Sequence, residues 1–134
     1  MVFMGGIANG GDAVEPKLVI RDSWLDKIRD RLFKGKALST RDMMDASTAA
    51  TLKEMMANNV KNNYGSWRFP NLNVCAKSGT AEVGGNKQPN AWFVGFLDDP
   101  ANPYAFVVMV ENGGYGTSTS GKIANTVLQE IVKK

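Results

Sequence analysis

Histidine is absent from this 134-residue chain. Its absence excludes a Ser-His-Asp triad, an H-E-x-x-H zinc site and any imidazole base. Cysteine occurs once, at Cys75, so there is no internal disulfide and no multi-cysteine metal site. Cys75 lies in the apolar run Val74-Cys75-Ala76 and is expected to be a small core residue. A lone cysteine suits a reducing compartment, or an exported protein that does without disulfides. No apolar run approaches the length of a membrane span. The start, Met1-Val2-Phe3-Met4-Gly5-Gly6, has no basic n-region and no cleavage pattern, and reads as a helix entered in its middle rather than a signal peptide. Charge of one sign is also scarce: 16 Lys and Arg against 13 Asp and Glu leave a net +3. Arg21, Lys27, Arg29 and Arg31 are interleaved with Asp22, Asp26 and Asp30. That is a solvated surface, not a nucleic-acid stripe. No cofactor and no nucleic-acid partner are expected.

What remains is one domain's worth of ordinary globular chain, with 43% hydrophobic and 22% charged residues. Residues 1–8 are apolar and end at Asn9-Gly10-Gly11, a helix tail with a left-handed stop. Pro16 to Ile20 reads as a short strand. Residues 21–45 are ambiguous, and the spacing of Leu25, Ile28 and Leu32 there is helical. Ser47 is expected to open and cap a helix whose apolar positions are Ala49, Ala50, Leu52, Met55, Met56 and Val60. Asn62-Asn63-Tyr64-Gly65 stops it.

Three strands are expected next, over 73–83, 91–98 and 104–111. The connections Gly84–Pro89 and Asp99–Pro103 are hairpin-like. The third strand is apolar on both faces: Tyr104, Phe106, Val108 and Val110 on one, Ala105, Val107 and Met109 on the other. This predicts a strand buried on both sides, in a sheet with helices above and below. The last helix follows Gly113-Gly114-Tyr115-Gly116, with Ser118 or Ser120 as cap. Its apolar stripe is Ile123, Val127 and Ile131 with Ala124, Leu128 and Val132. The glycine loop is read as a chain turn, since no G-x-x-x-x-G-K-[ST] is present.

The motif that carries chemistry is Lys77-Ser78-Gly79-Thr80-Ala81-Glu82, followed by Asn90-Ala91-Trp92-Phe93-Val94-Gly95-Phe96. Taken alone, K-S-G-T is weak. Lys77 is also what an edge strand uses against aggregation, Ser78 and Thr80 could be exposed strand residues, and Gly79 a bulge. Glu82 and Glu111 read as solvated strand-end glutamates. With its flanks, the segment resembles the third active-site motif, K-[ST]-G, of the penicillin-binding proteins. Ile7-Ala8-Asn9-Gly10-Gly11 is similar to the end of a helix in that family. The Ser47–Val60 helix, the three strands and the Gly113–Gly116 loop follow in the family's order, so the whole chain, Met1 to Lys134, resembles the C-terminal part of a transpeptidase domain.

The resemblance implies an α+β fold: a five-stranded antiparallel sheet with flanking helices, of which this chain would hold three strands. It implies a bacterial cell-wall D,D-transpeptidase that cross-links peptidoglycan through a serine acyl-enzyme. Its partners would be the peptidoglycan stem peptide and β-lactams, and its place the outer face of the cytoplasmic membrane. In that frame Lys77 raises the positive potential of the cleft, Ser78 and Thr80 hydroxyls bind the substrate carboxylate, Gly79 admits the substrate backbone, and the Thr80 N–H is one oxyanion donor. The strand is a template for β-addition of the peptide. No serine here is followed three residues later by lysine, and no S-x-N is present. The chain is therefore expected to be a fragment without its nucleophile, inactive alone, lacking the N-terminal half of its domain and able to pair with a second copy through a bare sheet edge. The alternatives are a non-catalytic peptide- or β-lactam-binding α+β domain, and a small interaction protein with a fortuitous K-S-G-T.

Overall fold

The computed structural model describes residues 1–14, 16 and 40–132. Helix α1 (Val2–Ala8) ends where the sequence placed its stop. Gly10 and Gly11 both adopt positive φ there, at 70° and 110°, and a Cβ at Gly11 would strike the Met44 carbonyl oxygen. Strand β1 (Asp12–Val14) then pairs antiparallel with β2 (Thr40–Asp42) in a two-stranded ribbon. The strand expected at Pro16–Ile20 and the ambiguous segment up to residue 39 lie outside the described residues.

Helix α2 (Ala46–Asn58) starts one residue before Ser47, and Asp45 occupies the cap position. Asp45 has the extended backbone a cap needs, while Ser47 is already inside the first turn, where its carbonyl accepts the Thr51 hydroxyl. The expected Ser47 cap is thus corrected. Ala49, Met56 and Val60 are buried and Leu52 partly so, but Met55 is 59% exposed and Ala50 is exposed as well. The buried stripe is narrower than the run of apolar residues suggested. A π-helical turn (Asn59–Gly65) and a 3-10 turn (Ser66–Arg68) carry the chain to the main sheet.

That sheet is a meander of β3 (Val74–Ala81), β4 (Asn90–Leu97) and β5 (Ala105–Val110), antiparallel throughout in the order β3-β4-β5. Ser78 stands opposite Phe93 and Gly79 opposite Trp92. Period-two alternation sorts the side chains onto two faces. On one, Val74, Ala76, Phe93 and Leu97 pack with Val60 and Phe69 and with Ala124 and Leu128 of the last helix, α3 (Ser120–Val132). On the other, Cys75 and Phe96 pack with Ile7 of α1 and Met56 of α2. Helices therefore pack on both faces of this sheet.

The coverage is uneven, which corrects the expectation for β5. Phe106 and Val108 lean into the first core and Ala105 into the second, but Val107 and Met109 are 38% and 42% exposed. The helices α1 and α2 reach only the Cys75–Phe96 end of their face. The last helix is also corrected. Its buried residues are Ser120, Gly121, Ala124 and Leu128, with Ile131 and Val132 partly buried, whereas Ile123 and Val127 face solvent. Neither expected serine caps it. Ser118 donates back to the Tyr115 carbonyl, and Ser120 is fully buried and donates to the Ala91 carbonyl at 2.8 Å.

Candidate functional site

Lys77, Ser78, Gly79 and Thr80 are consecutive on β3, an edge strand of the three-stranded sheet. Lys77 and Thr80 are exposed; Ser78 and Gly79 are half-buried. In an antiparallel pair a residue's N–H and C=O point the same way, alternately toward and away from the partner strand. The Ser78 N–H donates to the Tyr64 hydroxyl at 2.9 Å, so the Ser78 peptide groups point outward, away from β4. Two residues on, the peptide groups of Thr80 point outward too. No strand pairs with that outer edge among the described residues.

Polar groups gather along this edge. The Lys77 ammonium folds back and donates to the Ser78 carbonyl at 2.5 Å. The Ser78 hydroxyl lies 3.2 Å from the Tyr64 hydroxyl. An outward N–H, two hydroxyls and an ammonium in four residues form a set that can bind a carboxylate and add an extended peptide. Glu82 and Glu111 are exposed beyond the ends of their strands, as solvated residues are. Among the described residues, no group of three or more His, Cys, Asp or Glu could hold a metal ion.

Two supports of the strand escaped sequence reasoning. Tyr64 was visible only as part of a helix-stopping Asn-Asn-Tyr-Gly. Its ring stands edge-on to Phe93 with centroids 5.7 Å apart, and the Arg68 Nε–H holds its carbonyl at 2.8 Å. The second support is the glycine loop, which is more than a turn. Gly116 is buried flat against the backbones of β3 and β4, where a Cβ would lie 2.2 Å from the Trp92 oxygen and 2.6 Å from the Gly79 oxygen. The Gly116 carbonyl accepts the Gly121 N–H at 2.8 Å, and the Gly114 N–H donates to Pro89 at 2.9 Å. The loop therefore ties the start of α3 to the motif hairpin. Gly79 itself is less confined, since a Cβ there would meet only the Trp92 Cβ at 3.3 Å and its γ carbon at 4.0 Å.

Cys75, two residues before Lys77, plays no part at this edge. It is buried, and burial first, then the Asp98 carboxylate, push its thiol up to about 11, against the opposing pull of Lys53. Lys53 and Asp98 pair at 2.5 Å on the surface nearby.

The structure is an α+β arrangement: an antiparallel meander whose edge strand carries K-S-G-T, with a closing C-terminal helix. Residues 1–133 match the penicillin binding protein transpeptidase domain, and the chain belongs to that family. It is 31% identical over 133 residues to the peptidoglycan D,D-transpeptidase PbpA of Mycobacterium tuberculosis, which covers 95% of this chain and 26% of that protein. The chain thus spans about a quarter of the length of the curated relatives it matches. Its coordinates superpose on penicillin-binding protein A from M. tuberculosis, solved as an imipenem acyl-enzyme complex, with a TM-score of 0.71 and 26% identity, covering 98% of this chain and 29% of the other. The D,D-transpeptidase domain of a peptidoglycan glycosyltransferase from Eggerthella lenta shares the fold, with a TM-score of 0.68 at 22% identity over 96% of this chain and 30% of that one.

Proposed function

We propose that this chain forms the substrate-binding wall of a bacterial peptidoglycan D,D-transpeptidase, and that it carries no acyl-transfer activity by itself. The observation that supports this reading best is the K-S-G-T segment on an exposed sheet edge, in a chain that superposes on a penicillin-binding protein solved as an imipenem acyl-enzyme complex. The ligands are the stem peptide's D-Ala-D-Ala end and the β-lactams that resemble it. Ser78 and Thr80 hydroxyls take the terminal carboxylate, Lys77 supplies positive potential, and the outward Thr80 N–H donates to the developing oxyanion. The nucleophile is not in these 134 residues, because neither S-x-x-K nor S-x-N occurs. The reaction takes place in the cell envelope, on the outer face of the cytoplasmic membrane. The outer edge of β5 offers a second copy a place to pair.

Two measurements test the reading. Incubation with a β-lactam followed by intact-mass analysis is expected to give no covalent adduct, since oriented amides without a nucleophile leave little catalysis. A stoichiometric adduct on any serine overturns the claim of inactivity. NMR titration with acetyl-D-alanyl-D-alanine is expected to move the amides of Ser78 to Thr80 with a dissociation constant on the order of 1 mM, about −4 kcal/mol. Shifts confined to other surfaces, or none, overturn the substrate wall.

A further inference from the structure

We propose that Tyr64 is a positioning residue that closes the Ser78 rung of the β3 edge and leaves Thr80 as the first open rung for an extended ligand ending in a carboxylate. The proposal rests on the substrate-wall reading for its ligand and on geometry for the rest. A strand that adds to an edge uses the outward N–H and C=O of every second residue. At Ser78 both groups are already taken by this chain: the N–H by the Tyr64 hydroxyl at 2.9 Å, the C=O by the Lys77 ammonium at 2.5 Å. The next outward groups are those of Thr80.

The two contacts differ in rigidity. Lys77 is exposed, on a long stem with many rotamers. Tyr64 is half-buried, packed edge-on against Phe93 in the main core, and followed by Gly65, whose φ of 90° sets the chain direction. A phenol fixed in this way costs little to keep in place. It also lies 3.2 Å from the Ser78 hydroxyl, so it orients that hydroxyl as well as the amide. The ligand's backbone is then steered to Thr80 while Ser78 contributes its side chain alone. Without the Tyr64 hydroxyl, the Ser78 N–H opens and a ligand can add in a register two residues away.

The experiment is residue-resolved amide exchange on the whole chain, wild type and Tyr64→Phe, with Phe93 and Phe96 as core controls. In the wild type, Ser78 is expected to be at least ten-fold more protected than Thr80. In Tyr64→Phe, Ser78 protection falls at least ten-fold while Phe93 and Phe96 are unchanged. Equal exchange at Ser78 and Thr80 in the wild type, or unchanged Ser78 protection in the variant, overturns the proposal. Loss of Phe93 protection as well would assign the contact to fold maintenance and overturn the positioning role. A titration with acetyl-D-alanyl-D-alanine adds a readout that a structural role leaves still. The wild type responds chiefly at Thr80, and the variant gains a comparable response at Ser78; an identical pattern in both overturns the register claim. If the wild type takes no ligand, the substrate-wall reading falls, and the exchange contrast still decides Tyr64.

Discussion

At the scale of single residues, three positions on or behind β3 separate packing from chemistry. Gly116 is held by the backbones of both motif strands, with a Cβ only 2.2 Å from the Trp92 oxygen. Backbone cannot swing aside as a side chain can. Gly116→Ala is therefore expected to cost about 1–3 kcal/mol in denaturant unfolding. Gly79→Ala would set a Cβ 3.3 Å from the Trp92 Cβ, a tight contact that a shift of a few tenths of an ångström relieves, so it is expected to cost less than Gly116→Ala and to act mainly on a ligand's approach. Cys75 gives a pH signature. Its native pKa is raised from 9.0 to about 11, chiefly by burial. A raised pKa means the folded state holds the proton more tightly. The stabilisation is complete below 9.0 and is lost as pH climbs toward about 11. Unfolding free energies across that window should fall more steeply for the wild type than for Cys75→Ala; parallel curves would contradict this.

At the scale of elements, α3 shows why an apolar stripe overstates burial. Six apolar positions were legible, but the helix turns only one side to the sheet, and the six spread over more than that side. Ala124 and Leu128 pack with Val74, Ala76 and Phe93, while Ile123 and Val127 face solvent. Leu128→Ala should destabilise by about 2–5 kcal/mol, whereas Val127→Lys should stay within about 0.5 kcal/mol. Thermal unfolding of both variants checks the contrast. The start of the same helix is pinned by a hydrogen bond rather than a cap. The buried Ser120 hydroxyl reaches the Ala91 carbonyl at 2.8 Å, and Ser120→Ala should cost on the order of 1 kcal/mol. An effect near zero would mean that the loop before α3 holds the helix without it.

At the scale of the whole molecule, the open part of one sheet face has consequences for solution behaviour. Val107 and Met109 lie exposed on that face of β5, beside half-buried Val94 and Trp92. No strand pairs with the outer edge of β5 among the described residues. A bare apolar edge recruits another strand. The chain is expected to self-associate in a concentration-dependent way by light scattering, and Val107→Lys should shift it toward monomer without lowering its unfolding midpoint. Hydrogen exchange over residues 104–111 locates the contact. A monomer whose β5 amides are well protected would show that the edge is covered within one chain, and a monomer whose β5 amides exchange rapidly would contradict the pairing.

The β1–β2 ribbon escaped the sequence, but the three meander strands within a residue or two, the helices around them and the place of the K-S-G-T segment on the first of those strands were determined by it. Each rests on a local signal: period-two alternation between glycine-rich turns, helical spacing ended by Asn9-Gly10-Gly11, and a contiguous four-residue motif. Local signals cannot report how much surface is available to bury a stripe, so Met55, Ile123, Val127, Val107 and Met109 read as core and emerge exposed. Nor can they report contacts between residues far apart in the chain. Tyr64 reaches Ser78 across 14 positions, and Ser120 reaches Ala91 across 29. Gly116 rests on Gly79 because the chain passes through two more strands before returning behind the motif. The residue types of the edge were written in four consecutive positions; its direction, its Tyr64 contact at Ser78 and its rigid backing exist only once the sheet has assembled around them.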